Sequence, residues 1–306
     1  MSFPYLSDVI YYLTGIRLPL PFATFGILVA CAMLAAGACL RRALRRLHDG
    51  GRIGMAWRIV GGPAGQRRIE LAPQELVGTF TVVVLFAGVA GARLFHIFEH
   101  LDTFAADPLS MIFNRAGLSV FGGLIAGAIA GGAVLRRWHL PLRPFLDAIA
   151  PAMMLGYAIG RLGCQIAGDG DWGTMANMAL KPAWLPTWLW AQTYDGNIFG
   201  EVIPAPGVYP TPIYETAMAL ACFGLLWALR RHPFRTGWLF SVYLLLAGAE
   251  RLLIEQIRVN VRFDLFGLHV TQAEFIAVGF MVAGFAGMAL LGRRGPAGRS
   301  APGSIA

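Results

Sequence analysis

The fold class that this sequence predicts is a bundle of seven membrane-spanning α-helices, with the N-terminus outside the cytoplasm and the C-terminus inside. Hydrophobic residues fill 57% of its 306 positions and charged residues 14%, against roughly 25% charged in a soluble domain. The surplus of apolar side chain has to face lipid. A bilayer core about 30 Å thick takes about 20 apolar residues to cross as a helix. Seven such windows lie at about 20–40, 74–99, 117–135, 145–167, 210–230, 236–257 and 270–292. The third observation is where the basic residues fall, and it sets the orientation.

The 41–73 connection holds Arg41, Arg42, Arg45, Arg46, Arg52, Arg58, Arg67 and Arg68. On the same side lie Arg136, Arg137, Arg143, Arg230, Arg231, Arg235, Arg293, Arg294 and Arg299, seventeen in all. The other side has only five, Arg17, Arg115, Lys181, Arg258 and Arg262, so the positive-inside rule puts the first set in the cytoplasm. This placement also answers the formal charge of +8: the basic residues flank apolar spans, and no nucleic-acid partner is expected. The first window is expected to be a retained helix and not a cleaved signal peptide, because no basic stretch precedes it and four arginines follow it.

The expected organisation is one integral membrane domain over 1–306. Its parts are a basic cytoplasmic loop at 41–73, a periplasmic segment at 168–209 and a cytoplasmic tail at 293–306. The 168–209 segment carries Trp172, Trp184, Trp188, Trp190, Tyr194 and Tyr209, residues that settle at the headgroup level. Windows three and four are rich in small residues, with FGGLIAGAIAGG at 121–132 and then Gly156, Gly160 and Gly163, which lets helix backbones approach closely. Cys31, Cys39, Cys164 and Cys222 show no ligand or disulfide spacing. Asp169 and Asp171 are two carboxylates in one turn without further ligands, so neither a metal nor another cofactor is expected.

Charges inside spans cost on the order of 2.5–3.5 kcal/mol each at a helix centre and tend to mark a site, a pathway or a structural bridge. Given the orientation, Arg93, Arg161, Glu250, Arg251 and Glu255 all fall toward the outer ends of their helices. Phe25, Phe121, Tyr214, Glu215, Thr271, Gln272 and Glu274 fall at the same depth. Arg251, Glu255 and Arg258 are spaced to share one helix face, where an Arg–Glu bridge would pin the sixth helix. Arg161 has no carboxylate three or four residues away, so no local pair neutralises it. Arginine is the side chain best shaped for bidentate phosphate contact, and several of them at this depth suit an anionic phospholipid.

The run GRLGCQIAGDGDWG at 160–173 resembles the signature of the bacterial prolipoprotein diacylglyceryl transferases, written GRIGNFINGELWG. GARLF around Arg93, DPL at 107–109, GLSVFGGLIAG at 117–127, YPTPIYE at 209–215 and ERLLIEQIR at 250–258 resemble further motifs of that family, in order. The resemblance covers about residues 20–292. It implies an inner-membrane enzyme that moves the diacylglyceryl group of phosphatidylglycerol onto the lipobox cysteine of a preprolipoprotein signal peptide. Carried over by position, the catalytic residues would be Arg161, Arg251, Asp169 and Glu255. Substrate contacts would come from Arg93, Gly173, Gly122, Gly123, Phe121, Cys164, Tyr214 and Arg258.

Three departures stand out. Phe121 occupies the place of the family's HGGL histidine, Cys164 that of its first signature asparagine, and Phe25 that of a tyrosine; GDGDWG is also one residue longer than the usual form. These changes remove a candidate base and two hydrogen-bonding groups. They keep open a same-fold paralogue with another lipid donor or acceptor, and a non-enzymatic membrane protein that binds anionic phospholipid. A transporter would place its charges near the midplane on broken helices, whereas these cluster at one end.

Overall fold

The protein is described by a computed structural model covering residues 1–61, 67–113, 119–260, 262–265 and 268–293. The expected helix start at 117, Arg115, Arg294 and Arg299 lie outside the described residues. The described chain is an all-α membrane protein carrying two small antiparallel hairpins. Five helices are long and apolar enough to cross a bilayer: Thr24–Asp49, Pro73–Glu99, Leu142–Ala167, Thr211–Leu229 and Gln272–Leu291. Large apolar side chains lie open along them, including Phe86 at 70% and Phe285 at 69% exposure, as a lipid-facing surface requires.

In chain order the helices are α1 (Leu6–Thr14), α2 (Thr24–Asp49), α3 (Leu76–Glu99), α4 (Leu101–Ala106), α5 (Pro108–Phe113) and α6 (Val120–Arg137), then α7 (Leu142–Ala167), α8 (Thr211–Leu229), α9 (Trp238–Glu255) and α10 (Gln272–Leu291). β1 (Ala56–Val60) pairs with β2 (Arg67–Leu71), and β3 (Arg262–Leu265) with β4 (Leu268–Thr271). Among the described residues the chain forms two compact units. One takes in Met1–Cys39 and the residues from Ile149 through α10; the other is Leu40–Ala148.

In the second unit, the 41–73 stretch is not the plain loop that its charge suggested. Apolar residues at helical spacing carry α2 on to Asp49, burying Leu40, Ala43, Leu44 and Leu47 while the arginines between them point elsewhere. The β1–β2 hairpin then docks on the turn between α6 and α7. Trp57 N–H donates to Trp138 O at 3.0 Å, the Trp57 and His139 rings stack 3.6 Å apart, and the Arg58 guanidinium lies 4.5 Å from the Trp138 ring centre. The basic segment is thereby structured protein, held by stacking and cation–π contact.

The small residues of α6 meet those of α3. A methyl group added at Gly122 would collide with Gly91 O and Phe95 Cβ, and one at Gly91 with Ala126 Cβ and Gly122 O. Only glycine allows this backbone approach. Gly122 and Gly123, assigned to substrate by resemblance, thus have a packing role that is visible in this unit. Ser119 N–H donates to Ala92 O at 3.0 Å, which sets where α6 begins.

The first unit is built on α7, α8 and α9, whose Met154, Ala158, Ala219, Leu226, Leu239 and Val242 form its core. α10 starts from a capping box, with Glu274 N–H donating to Thr271 Oγ1 at 3.1 Å and Thr271 N–H to Glu274 Oε2 at 2.8 Å. The N-terminal residues join the same end: Ser2 N–H donates to Asp195 O at 2.7 Å and Phe3 N–H to Ile166 O at 2.6 Å.

The α3–α6 contact yields a paired expectation. Gly122→Ala should lower stability by roughly 1–3 kcal/mol through overpacking, whereas Gly132→Ala, whose added methyl meets nothing within 4 Å, should be neutral or slightly stabilising because alanine favours helix over glycine. Thermal unfolding of both variants in one detergent is the check; equal melting temperatures would remove the close-packing account of Gly122.

Candidate active site

Arg161 lies in the penultimate turn of α7, where the chain is about to leave the helix. α7 ends at Ala167, and Gly168 and Gly170 take positive φ of 62° and 88°, turning the chain so that Asp171 faces back. Glu215 sits one turn into α8, behind Pro212, whose missing N–H costs nothing in the first turn of a helix. α9 supplies Glu250, Arg251 and Glu255 from its last two turns.

These segments meet around one carboxylate. Glu215 is fully buried, with 0% of its surface exposed. Its Oε2 pairs with Arg161 Nη2, and its Oε1 lies 3.3 Å from Arg258 Nη1 and 3.8 Å from Arg251 Nη1. Asp171 bridges two of the same arginines, through Oδ2 to Arg161 Nη1 and through Oδ1 to Arg258 Nη2 at 2.6 Å. Arg251 Nη2 lies 2.9 Å from Glu255 Oε2, and Asn260 Nδ2 donates to Glu255 Oε1 at 2.6 Å. The Tyr157 hydroxyl sits 3.3 Å from Glu215 Oε1 and 3.2 Å from Glu250 Oε1. The Cys164 sulfur lies 3.7 Å from Arg161 Nη1.

Arg161 is therefore neutralised, but by residues 10 and 54 positions away in sequence, beyond the reach of any helical-spacing argument. The expectation that Arg258 shares a helix face with Arg251 and Glu255 also changes. α9 ends at Glu255, so Arg258 lies in the turn beyond it and reaches Asp171 and Glu215 from there. Exposure separates the three arginines. The side chains of Arg161 and Arg258 are 11% and 12% exposed, that of Arg251 31%.

The segment after α7 is stitched onto the start of α8 and the turn after α9. Thr211 Oγ1 donates to Asp171 O at 2.7 Å, Gly173 N–H to Tyr209 O at 2.9 Å and Thr174 N–H to Ile257 O at 2.8 Å. A Cβ at Gly173 would lie 2.6 Å from Ile257 O, so the signature glycine permits this seam. Farther along, Tyr194 is buried with its hydroxyl donating to Gln165 Oε1 at 2.7 Å, and Tyr214 OH donates to Leu189 O at 2.6 Å. Trp184 and Trp188 stay exposed. The 168–209 segment is more than an aromatic belt: it is a fitted cover that holds Asp171.

Burial works to raise the Asp171 carboxyl, but the Arg161 and Arg258 guanidiniums outweigh it and hold Asp171 below the usual carboxylate range. Burial likewise works to lower Arg258, and the Asp171 and Glu215 carboxylates more than reverse it. The acid that the arginines grip is Asp171, not Asp169. Asp169 lies beside Cys164, with its Oδ1 buried and without a hydrogen-bond partner. The additional residue in GDGDWG and the two left-handed glycines account for the shift in register. Cys164, Asp169 and Asp171 bring donor atoms within 4.8 Å of one another, but Asp171 is committed to two guanidiniums, whose charge would repel a metal cation.

The sequence reading thus brings Arg161, Arg251, Arg258, Glu255, Cys164 and Gly173 into one neighbourhood. Glu215 and Glu250 were placed at the right depth without a role. Tyr157 was not singled out at all, and a hydroxyl on the Arg161 face, four residues before it, was the available signal. Arg93, Phe121, Gly122 and Gly123 belong to the other unit, where Arg93 Nη1 donates to Met111 O at 3.3 Å and Phe121 is half-buried.

The profile of the family described as prolipoprotein diacylglyceryl transferase matches residues 12–290. A phosphatidylglycerol–prolipoprotein diacylglyceryl transferase of Corynebacterium efficiens is 31% identical over 211 residues, 64% of this chain and 62% of the relative. The protein of the same name from Symbiobacterium thermophilum is 30% identical over 220 residues, 71% of this chain and 78% of that one. For Frankia alni the figures are 31% over 207 residues, 64% and 51%, so the match spans between about half and three quarters of these relatives' lengths. With its profile matched over nearly the whole chain, the protein belongs to the prolipoprotein diacylglyceryl transferase family.

Proposed function

We propose that this protein transfers the diacylglyceryl group of phosphatidylglycerol to the thiol of the lipobox cysteine in a preprolipoprotein signal peptide. A C–S thioether bond forms, the glyceryl C–O bond to phosphate breaks, and glycerol phosphate leaves. The reading rests on family membership and on the three arginines gathered at the helix ends. Its setting is the bacterial inner membrane, crossed seven times with the N-terminus outside. α6 and α9, at 18 residues each and so about 27 Å long, are the two additional crossings.

The differing exposure of the arginines suggests a division of labour. Arg161 and Arg258 are locked between Asp171 and Glu215, and their task is to keep the cluster in one geometry. Arg251 pairs with Glu255 through Nη2 but only approaches Glu215 at 3.8 Å and has an open flank, so it is the guanidinium of the three with the most capacity left for a phosphate. As the C–O bond breaks, charge grows on the phosphate oxygens, and a fixed guanidinium stabilises it without reorganisation. The acceptor thiol reacts as thiolate, with an unperturbed pKa of about 8.5, and a cationic neighbour favours that form.

Topology provides one test. Reporter fusions after residues 50, 140 and 233 should read cytoplasmic, and fusions after 110 and 190 periplasmic; reversal at two sites would sink the orientation. Transfer itself is measured with labelled phosphatidylglycerol and a lipobox peptide, per folded molecule. Arg251→Lys should lower it roughly 10²-fold or more while leaving thermal stability near that of the parent. Arg161→Lys should lose both transfer and stability, because it disturbs a buried network. Phe121→Ala should cost packing and far less transfer than Arg161→Ala. A well-folded Phe121→Ala protein as inactive as Arg161→Ala would instead put the ring in the mechanism.

A further inference from the structure

The last turn of α3 presents a second cluster of chemistry, in the unit that does not hold the arginine site. His96 and Glu99 lie in the last turn of α3, and His100 is the residue that caps its C-terminal end. Each puts one ligating atom within 4.8 Å of the other two. The two imidazole rings lie 4.5 Å apart, tilted by 43°. Glu99 and His100 are exposed and His96 half-buried, so the rotamer adjustments that would draw the three donors closer are unhindered. Tetrahedral bonds of about 2.0–2.1 Å to zinc need only such an adjustment.

Two further observations favour a metal here. His100 Nδ1 lies 3.1 Å from His96 O; a carbonyl oxygen only accepts, so Nδ1 carries the proton and Nε2 is left with its lone pair. A backbone carbonyl that fixes the tautomer of a ligating histidine is the usual outer-shell arrangement of zinc sites. The cluster also lies at the C-terminal end of α3, a 24-residue helix, where the helix dipole favours a cation. Unlike Asp171, Glu99 is held by no arginine or lysine among the described residues.

We propose that His96, Glu99 and His100 form a binding site for a divalent transition-metal ion, Zn2+ being the best match to two imidazoles and a carboxylate. The fourth position faces solvent and takes water. The bound ion ties the last turn of α3 together across its final hydrogen bonds.

The test uses the full chain in detergent, purified through a tag without histidine and stripped with chelator. Titration with Co2+ should show one equivalent bound, a visible spectrum of nitrogen and oxygen ligation without a thiolate charge-transfer band, and displacement by Zn2+. The double variant His96→Ala, His100→Ala should abolish this signal. Glu99→Gln, which keeps the shape of the side chain, should weaken binding roughly tenfold or more, at least the loss expected for an outer-shell partner. No binding by the parent chain, full binding by the double histidine variant, or a spectrum dominated by thiolate would each overturn the proposal. None of these readouts depends on transferase activity, so the two proposals stand or fall apart.

Discussion

A carboxylate with no exposed surface, shared among three guanidiniums, is the constraint on which the described site depends. Glu215 alone would be costly to bury as an ion, and so would each arginine near the end of an apolar helix. Together they offset one another, and each sets the position of the rest. Removing one partner of such a buried group costs about 3–5 kcal/mol, because the charge left behind has no water to turn to. α7, the turn after it, α8 and the end of α9 are thus held in register by electrostatics as much as by the apolar core at Met154, Ala219 and Leu239.

That arrangement changes what an arginine in this layer can be asked to do. A guanidinium with its nitrogens already committed to carboxylates is a poor phosphate ligand and a good scaffold. Arg161 has both terminal nitrogens engaged. Arg251, by contrast, meets Glu255 at 2.9 Å, only approaches Glu215 at 3.8 Å, and keeps an exposed flank. Equal formal charges, one helix end apart, are suited to different tasks by their neighbours.

The sequence made the helices legible because their signal is length and apolar continuity, which needs no partner. It gave Arg161, Arg251 and Glu255 as residues out of place in a membrane. The i, i+4 spacing also gave the Arg251–Glu255 bridge, but not the partners of Arg161, which meets Asp171 across a turn bent by Gly168 and Gly170 and meets Glu215 across a whole cover segment. The signature's acid aligns with Asp169, whereas the carboxylate that meets the guanidiniums is Asp171, a difference that only the backbone path through a turn one residue longer reveals. The hairpin on the α6–α7 turn was hidden for another reason. Its contacts are a ring stack and a cation–π pair, and arginines read by charge alone look like a loop.

The order of synthesis gives the distance between these partners a consequence for how the protein is made. Arg161 emerges with α7 well before Glu215, and Arg251 and Arg258 follow later still. During insertion α7 must enter the bilayer on the strength of its apolar residues while carrying an uncompensated cation, a handicap on the order of 2.5–3.5 kcal/mol at mid-depth and less toward the end where Arg161 sits. Asp171, ten residues on, supplies the first partner; Glu215 arrives only with α8, and Arg258 reaches Asp171 only once α9 has ended. Biogenesis of this half of the protein is therefore cooperative across three hydrophobic segments: a chain stalled before α8 leaves Arg161 with Asp171 but without the buried Glu215 that completes its neutralisation, and that half-matched charge is what a membrane quality-control protease would meet.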